Sequence, residues 1–357
     1  MAESHSSSLK YLPRIISWNT TFRCNLRCAH CYINASKKEE GELSTDEGKK
    51  IMDQIVEVSK PILILSGGEP LLRQDIFQLA EYGVKKGLNV VMGTNGTLIT
   101  DEVAGKLKNV GIRKVGISLD STRPEKHDSF RGVNGAWRST MNGIEACRRM
   151  NLDFQIQTTV TQDNYSEVEQ IIELAQQSGA SDFHLFFLVP TGRAKRIRDI
   201  TPTMCEKMIS DILEKRGKYT FEVKPTCAPQ YTRIAKEKGL TSNRWGRGCI
   251  AGLSYCRIYP TGEVTPCPYL PIKVGDLHEK SFKEIWFGSE VLCRLRDFKS
   301  LKGKCGACEY KEVCGGCRAR AYGLSNSSIG CGGFRALAEV TGDYLAEDPW
   351  CLYHPKR

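Results

Sequence analysis

Between Pro13 and Pro190, short apolar runs rich in β-branched residues alternate with stretches in which apolar side chains recur every three or four positions. A period near 3.6 gives a helix one apolar face, whereas a short unbroken apolar run bounded by turn residues suits a strand covered on both sides. The pattern predicts strands over 14–20, 62–66, 90–94, 114–119, 154–161 and 183–188. Helices are expected between them, over 45–58, 76–86, 101–109, 136–150 and 165–178. The first helix opens on Ser44 with Glu47 three residues later, a pair that caps two free helix amides reciprocally. Strands alternating with helices imply a parallel sheet with crossover helices. Six such units suit an α/β fold, a partial (β/α)6 barrel over residues 13–200. Residues 1–12 precede it and are expected to be disordered.

The rhythm changes after Pro202. A helix over 203–216 and a strand-like 219–223 make a bridging region, 201–248, and residues 249–357 form a smaller cysteine-rich domain. That domain begins with a hairpin from Cys256 to Cys267, with Pro260 and Gly262 in the turn, and continues into a helical stretch over 282–298. No apolar run approaches the ~18 residues of a membrane span, and the opening MAESHSSSLK has no apolar signal segment. A soluble, cytoplasmic protein with no membrane partner is therefore expected. In such a chain, 16 Cys in clustered spacing point to metal rather than disulfides. The formal net charge of +10 favours an anionic partner. The basic residues are scattered and form no nucleic-acid motif; a polycarboxylate small molecule fits the charge equally well.

Three thiols stand close together in the pattern Cys24-x3-Cys28-x2-Cys31. On a loop, that spacing lets three sulfurs meet one metal centre and leaves a four-ligand site one protein ligand short. A closed zinc site needs a fourth Cys or His, and His30, between two of the thiols, would crowd the chelate. Three thiolates on a four-iron four-sulfur cluster leave one iron open to a substrate or cofactor, which is a catalytic arrangement. The apolar run from Ile62 ends in Gly67-Gly68-Glu69-Pro70, a buried strand leading to a glycine turn that carries a carboxylate. The cysteine loop follows the first strand and Thr94-Asn95-Gly96 ends the third, positions where barrels of this kind do chemistry.

Together the cysteine loop and the Gly-Gly-Glu turn resemble the radical S-adenosylmethionine (SAM) enzymes. In that family an aromatic residue usually precedes the third Cys; here His30 takes that place and Tyr32 follows the third Cys. The resemblance implies a catalytic 4Fe–4S cluster on Cys24, Cys28 and Cys31, with SAM bound beside it. Glu69, with the backbone of Gly67 and Gly68, would hold the SAM ammonium, because a cation wants a carboxylate and glycines allow close approach. Further cofactor contacts implied are Tyr32, Asn95, Ser118 near the ribose and Arg131 on the SAM carboxylate. Leu188, with Gln157 or Thr158, would line the adenosine. Blander roles stay open: Asp120 as the cap of a turn, and Arg131 as a solvated loop charge.

The tail repeats the cysteine theme. Cys249, Cys256 and Cys267 are followed by Cys305-x2-Cys308-x5-Cys314-x2-Cys317, then by Cys331 and Cys351. This resembles the SPASM extension of radical SAM enzymes, which holds auxiliary iron–sulfur clusters, although that family usually has three residues between the last pair. The resemblance implies one cluster on Cys249, Cys256, Cys267 and Cys317. A second would sit on Cys305, Cys308, Cys314 and a late Cys, giving one or two auxiliary clusters. Two zinc sites are the alternative. The run from Cys314 (CGGCRARAYG) is echoed from Cys331 (CGGFRALAEV), with Phe334 in place of the second Cys. Read as a tandem duplication, the echo makes Cys351 the late ligand. Cys147, Cys205, Cys227 and Cys293 lack partner spacing and are expected as ordinary buried thiols.

The stretches 314–322, 342–351 and 188–195 are similar to the haem-biosynthesis branch of the family. That similarity implies an anionic tetrapyrrole substrate and an electron donor such as ferredoxin or flavodoxin. It also implies oxidative decarboxylation of two propionates of iron-coproporphyrin III to the vinyls of haem b, through a 5′-deoxyadenosyl radical. Arg193, Lys195, Arg196 and Arg198, directly after the sixth strand, suit substrate carboxylates or make a solvated charge run. Other readings are a different tetrapyrrole side-chain enzyme, a SPASM peptide maturase, or a non-catalytic metal scaffold. No peptide-recognition domain is expected ahead of the first strand.

Overall fold

A computed structural model describes residues 11–35, 41–240, 246–324 and 342–356. Six strands form where the apolar runs lie: β1 Ile15–Asn19, β2 Ile62–Ser66, β3 Asn89–Thr94, β4 Val115–Ser118, β5 Phe154–Val160 and β6 Asp182–Phe187. Each pairs parallel with the next. The helices between them are α1 Thr45–Val58, α2 Ile76–Lys85, α3 Asp101–Asn109, α4 Pro124–Arg131, α5 Ala136–Arg149 and α6 Val168–Gln177. The capping box on α1 is formed, with Ser44 and Glu47 bonding each other's backbone amides. Trp18 on β1 is wholly buried, and α1 packs so tightly on it that a Cβ at Gly48 would stand 2.5 Å from the indole. Helix α4 escapes the periodicity because its buried face is polar, His127 and Arg131; Pro124 starts it and Gly132, at φ 71°, ends it.

Two further parallel strands extend this sheet. β7 Val223–Thr226 adds beside β6, displaced from the expected 219–223, and β8 Tyr255–Ile258 adds beside β1. Pro225 lies within β7, where a proline reads as a strand breaker; β7 is an edge strand, so a missing amide is tolerated. β8 is the first arm of the expected hairpin, and it returns as β9 Glu263–Thr265 with Gly262 at φ 87° in the turn. β10 Gly275–Asp276 completes the order β10-β9-β8-β1-β2-β3-β4-β5-β6-β7. Six parallel strands were expected and eight are present, and strand pairing runs across both compositional boundaries, at residues 200 and 249.

Helices α7 Pro202–Glu214 and α8 Tyr231–Glu237 lie on either side of β7 in sequence. The single helix expected over 282–298 is two, α9 Phe282–Gly288 and α10 Glu290–Arg296, broken where Ser289 adopts extended backbone. The tail continues with α11 Gly303–Ala307 and α12 Arg318–Leu324, and the segment from Gly342 folds back over both. Lys302 donates its amide to Leu345 O at 2.9 Å, and the Cys317 amide donates to Asp348 Oδ2 at 2.7 Å. Of the stretch 1–12 expected to be disordered, residues 1–10 lie outside the described residues, as do Cys331 and the echo it begins. Tyr11, by contrast, is tied to the tail, its carbonyl accepting the Trp286 indole N–H at 2.7 Å. No described helix is long and apolar enough to cross a membrane.

Candidate catalytic and cluster-binding sites

β1 delivers the chain to the cysteine loop at its C-terminal end. Each of the three sulfurs there accepts a donor: the Leu26 amide on Cys24 at 3.4 Å, the Ala35 amide on Cys31 at 3.3 Å, and Arg131 Nη1 on Cys28 at 3.7 Å. Donors aimed at sulfur favour a thiolate, the form that binds metal. Burial opposes it and pushes the Cys24 thiol up to about 12, a cost that bound iron would remove. The loop is anchored from α4, where Arg27 and Ala29 donate amides to Arg131 O and Phe130 O. It is anchored again from the segment after β6: Arg193 Nε donates to Cys28 O at 2.8 Å and Nη1 to Ala35 O at 3.1 Å.

Several expected roles change on this geometry. Arg193 is a staple of the cluster loop and no free carboxylate binder, while Arg196 and Arg198 are exposed. Arg131 is buried and paired with Asp120, Nε to Oδ2 at 2.7 Å, so it is no solvated loop charge. Asp120 caps no simple turn: its Oδ1 accepts the Thr159 amide at 2.8 Å, tying β4 to β5. His30 stacks on Phe130, centroids 4.3 Å apart, and burial beside Arg131 pushes it down to about 3. A neutral, stacked imidazole fills the place of the family's aromatic residue. Tyr32 accepts Asn19 Nδ2 at 2.9 Å and meets Tyr269 edge-on at 5.4 Å.

The Gly-Gly-Glu turn presses on the same loop. The Gly68 amide donates to Thr21 O at 2.8 Å and the Glu69 amide to Arg23 O at 2.7 Å. A Cβ at Gly67, φ 144°, would stand 2.5 Å from Thr21 O, and one at Gly68 2.0 Å from Arg23 O. The Glu69 carboxylate is wholly buried and accepts the Asn95 amide and the Thr94 hydroxyl, both at 2.8 Å, and the Leu71 amide at 3.2 Å. Burial outweighs these donors and pushes its pKa up to about 7. A buried carboxyl poised there suits a cationic ligand. Asn95 Nδ2 reaches back to Asn25 Oδ1 at 2.8 Å. Ser118 stands half-buried at the end of β4, with Thr158 bonded to Leu119 O at 2.6 Å across on β5.

In the tail, Cys305, Cys308, Cys314 and Cys351 line one cavity, with Arg233 and Lys304 beside them. The Tyr310 amide donates to Cys308 Sγ at 3.4 Å; Cys305 Sγ receives the Asp348 amide at 3.3 Å and Arg318 Nη2 at 3.4 Å. Gly316 gives this cavity room, since a Cβ there would stand 2.8 Å from Cys305 Sγ. The donor set fits a thiolate-bound cluster. Among the described residues, no three His, Cys, Asp or Glu side chains converge tightly enough for one metal ion, whose thiolates stand ~2.3 Å from it. A four-iron cluster, with one iron per thiolate, spreads its ligands more widely.

The other expected set does not assemble as a whole. Cys267 has Cys249 and Cys317 as electrostatic neighbours, whereas Cys256, among the described residues, has only Arg296. Alternation along β8 explains the exception. Tyr255 and Arg257 share the face that holds Tyr32 and Cys267, whereas Cys256 points with Ile258 into the apolar core. The sequence reading also missed Arg320, wholly buried. It donates Nη2 to Leu188 O at 3.0 Å and to Cys227 O at 3.3 Å, lies over Trp350 at 4.2 Å and stands 3.9 Å from Asp348. Nothing in local spacing distinguishes it from the arginines around it.

Parallel strands that end in a three-thiol loop and a glycine-flanked carboxylate, extended by a thiol-rich tail, define a radical SAM fold with an iron–sulfur domain. Residues 18–175 match the family model of the radical SAM superfamily, and residues 249–318 match SPASM, an iron–sulfur cluster-binding domain. An AdoMet-dependent heme synthase of Methanosarcina barkeri is 43% identical over 355 residues, covering 96% of this chain and 97% of that protein. A protein of the same description from Nitratidesulfovibrio vulgaris is 41% identical, covering 96% and 93%. Among solved structures, Streptococcus suis SuiB bound to S-adenosylmethionine superposes with a TM-score of 0.76 at 16% identity, covering 99% of this chain and 81% of that one. The chain belongs to the radical SAM superfamily and carries its SPASM domain. Its cofactors are 4Fe–4S clusters and SAM.

Proposed function

We propose that this protein is a haem synthase that oxidatively decarboxylates two propionates of iron-coproporphyrin III to vinyls, giving haem b. The observation that carries this reading is the 43% identity to an AdoMet-dependent heme synthase across nearly the whole of both chains. With its cluster bound and reduced, SAM supplies a 5′-deoxyadenosyl radical that takes a hydrogen atom from the propionate β-carbon. Loss of carbon dioxide from the resulting carbon radical forms the vinyl and releases one electron; the tail thiols Cys305, Cys308, Cys314 and Cys351 would hold an auxiliary cluster able to accept it. A ferredoxin or flavodoxin supplies the reducing electron. The chain's residues act by placement. Cys24, Cys28 and Cys31 hold the catalytic cluster, Arg131 and Arg193 fix its loop, and Glu69 takes the SAM ammonium. Exposed Arg196 and Arg198, beyond β6, attract the remaining carboxylates of the tetrapyrrole.

The test is anaerobic reconstitution, incubation with iron-coproporphyrin III, SAM and a reductant, and mass spectrometry of the porphyrin. Two losses of carbon dioxide plus one hydrogen atom each are expected, with 5′-deoxyadenosine formed in step. Cys28→Ala should abolish both products. Unchanged iron-coproporphyrin III alongside continued SAM cleavage would refute the substrate and leave the enzyme class standing.

A further inference from the structure

Cys256 leaves a ligand set one thiol short, and the fold brings another thiol to the same place. Cys227 follows β7 directly, at the C-terminal end of the parallel sheet, the end where β1 releases the cysteine loop and β6 leads to Leu188. Its electrostatic neighbours are Cys317, Cys267 and Cys249, the three expected ligands that remain. The other thiols without partner spacing lie elsewhere. Cys147 sits in the apolar core, Cys205 accepts Gln230 Nε2 at 3.3 Å, and Cys293 is exposed. We propose that Cys227, Cys249, Cys267 and Cys317 are the four ligands of the auxiliary cluster nearer the barrel, and that Cys256 is a core side chain.

Two features of the backbone and its surroundings support this. Cys227 adopts φ 61°, one of three described non-glycine residues in the left-handed region. For a residue other than Gly, Asn or Asp this costs ~1 kcal/mol and persists where the surroundings demand it. Arg320 then holds the Cys227 carbonyl, while its Nε and Nη1 are fully buried and have no hydrogen-bond acceptor among the described residues. A cluster bound by four thiolates is a net anion whose sulfurs accept hydrogen bonds. Placed among these thiols, it adds negative charge to that of Asp348 and offers acceptors to Arg320 Nε and Nη1. Each thiol gives up its proton on binding iron, and no oxidant or reductant is consumed.

The inference rests on family membership and not on the porphyrin substrate, so its test needs neither substrate nor turnover. Full-length protein and the variants Cys227→Ala, Cys227→Ser and Cys256→Ala are reconstituted anaerobically. Iron and acid-labile sulfide are counted, and the dithionite-reduced proteins are examined by electron paramagnetic resonance. Cys227→Ala should lose about four irons per chain or show an altered auxiliary signal, and Cys227→Ser should show the altered signal too. Cys256→Ala should match the parent in both readouts. Uncoupled SAM cleavage in the Cys227 variants would show that the barrel remains folded. A full complement with an unaltered signal in Cys227→Ala and Cys227→Ser overturns the proposal, as does loss of iron in Cys256→Ala. If Cys227→Ala does not accumulate, Cys227→Ser and Cys256→Ala decide on the same criteria.

Discussion

Glu69 shows what a single residue contributes when its surroundings are incomplete. Three donors and full burial define its site, yet burial dominates and the carboxyl ionises only near pH 7. Its folded pKa lies above the ordinary carboxylate value, so the ionised form destabilises the fold. The cost is absent below about pH 4.5 and grows until pH passes about 7. A bound ammonium reverses it. The protein without SAM is therefore expected to lose thermal stability as pH rises through this window, and SAM to restore more of it at pH 8 than at pH 6. Glu69→Gln should flatten that pH dependence. It should also weaken SAM binding about 10- to 150-fold at pH 8, the ~1.5–3 kcal/mol of a charge-assisted bond. Calorimetric titration at the two pH values checks both, and equal affinities for the two proteins would make Glu69 a purely structural acceptor. The motif was legible in the sequence because a carboxylate flanked by glycines has few other uses. The occupancy of Arg131 and Arg193 was not, because their partners, Asp120 and the carbonyls of the cysteine loop, become neighbours only through the fold.

At the scale of elements, the catalytic loop has little intrinsic order and borrows its shape from three neighbours: the Gly-Gly-Glu turn, α4 and the segment after β6. The turn contributes through close approach. Alanine at Gly68 would drive a methyl to 2.0 Å from Arg23 O, backbone that cannot swing aside. Gly68→Ala is therefore expected to displace the cysteine loop, lower catalytic-cluster iron and reduce the melting temperature by several degrees, as a loss of ~2 kcal/mol or more would. Gly135→Ala is the control. Unlike Gly68 it has positive φ, 81°, but its Cβ would meet nothing within 4 Å, so only ~1 kcal/mol of backbone strain is at stake. Similar melting temperatures and iron contents for the two variants would show that close approach does not matter. The periodicity revealed α1, α2, α3, α5, α6 and the six central strands because each carries its own apolar face. It missed β8 as part of the barrel because its partner β1 lies at the other end of the chain, and a parallel pairing leaves no local mark. Cys256 was misplaced for the same reason: which face of β8 meets the thiols is decided only when β8 joins β1.

For the whole molecule, the tail is a continuation of the barrel, and its last segment closes the outer thiol cavity. Asp348 makes the closure. Its side chain accepts the amides of Cys317 and Trp350, at 2.7 and 3.0 Å, and its own amide donates to Cys305 Sγ at 3.3 Å. Cys351 is thereby set against Cys305, Cys308 and Cys314. The placement agrees with Cys351 as the late ligand, a choice the sequence suggested only through the echo of 314–323 in 331–340. The chain leaves α12 and returns at Gly342 so close to where it left that a Cβ on Gly342 would lie 1.9 Å from Tyr322 O. Residues 325–341 can then be removed and the ends rejoined through a short glycine linker, at a loop-closure cost that changes only slowly with length. That deletion is expected to keep the full complement of auxiliary iron, and Cys331→Ala likewise. Cys351→Ala should lose about four irons per chain and the corresponding resonance signal. Iron counts on the three reconstituted proteins decide the matter. If the deletion and Cys331→Ala both lose that iron while Cys351→Ala keeps it, the second copy of the repeat has taken over the ligand, and the folded-back segment serves only to cover the cavity.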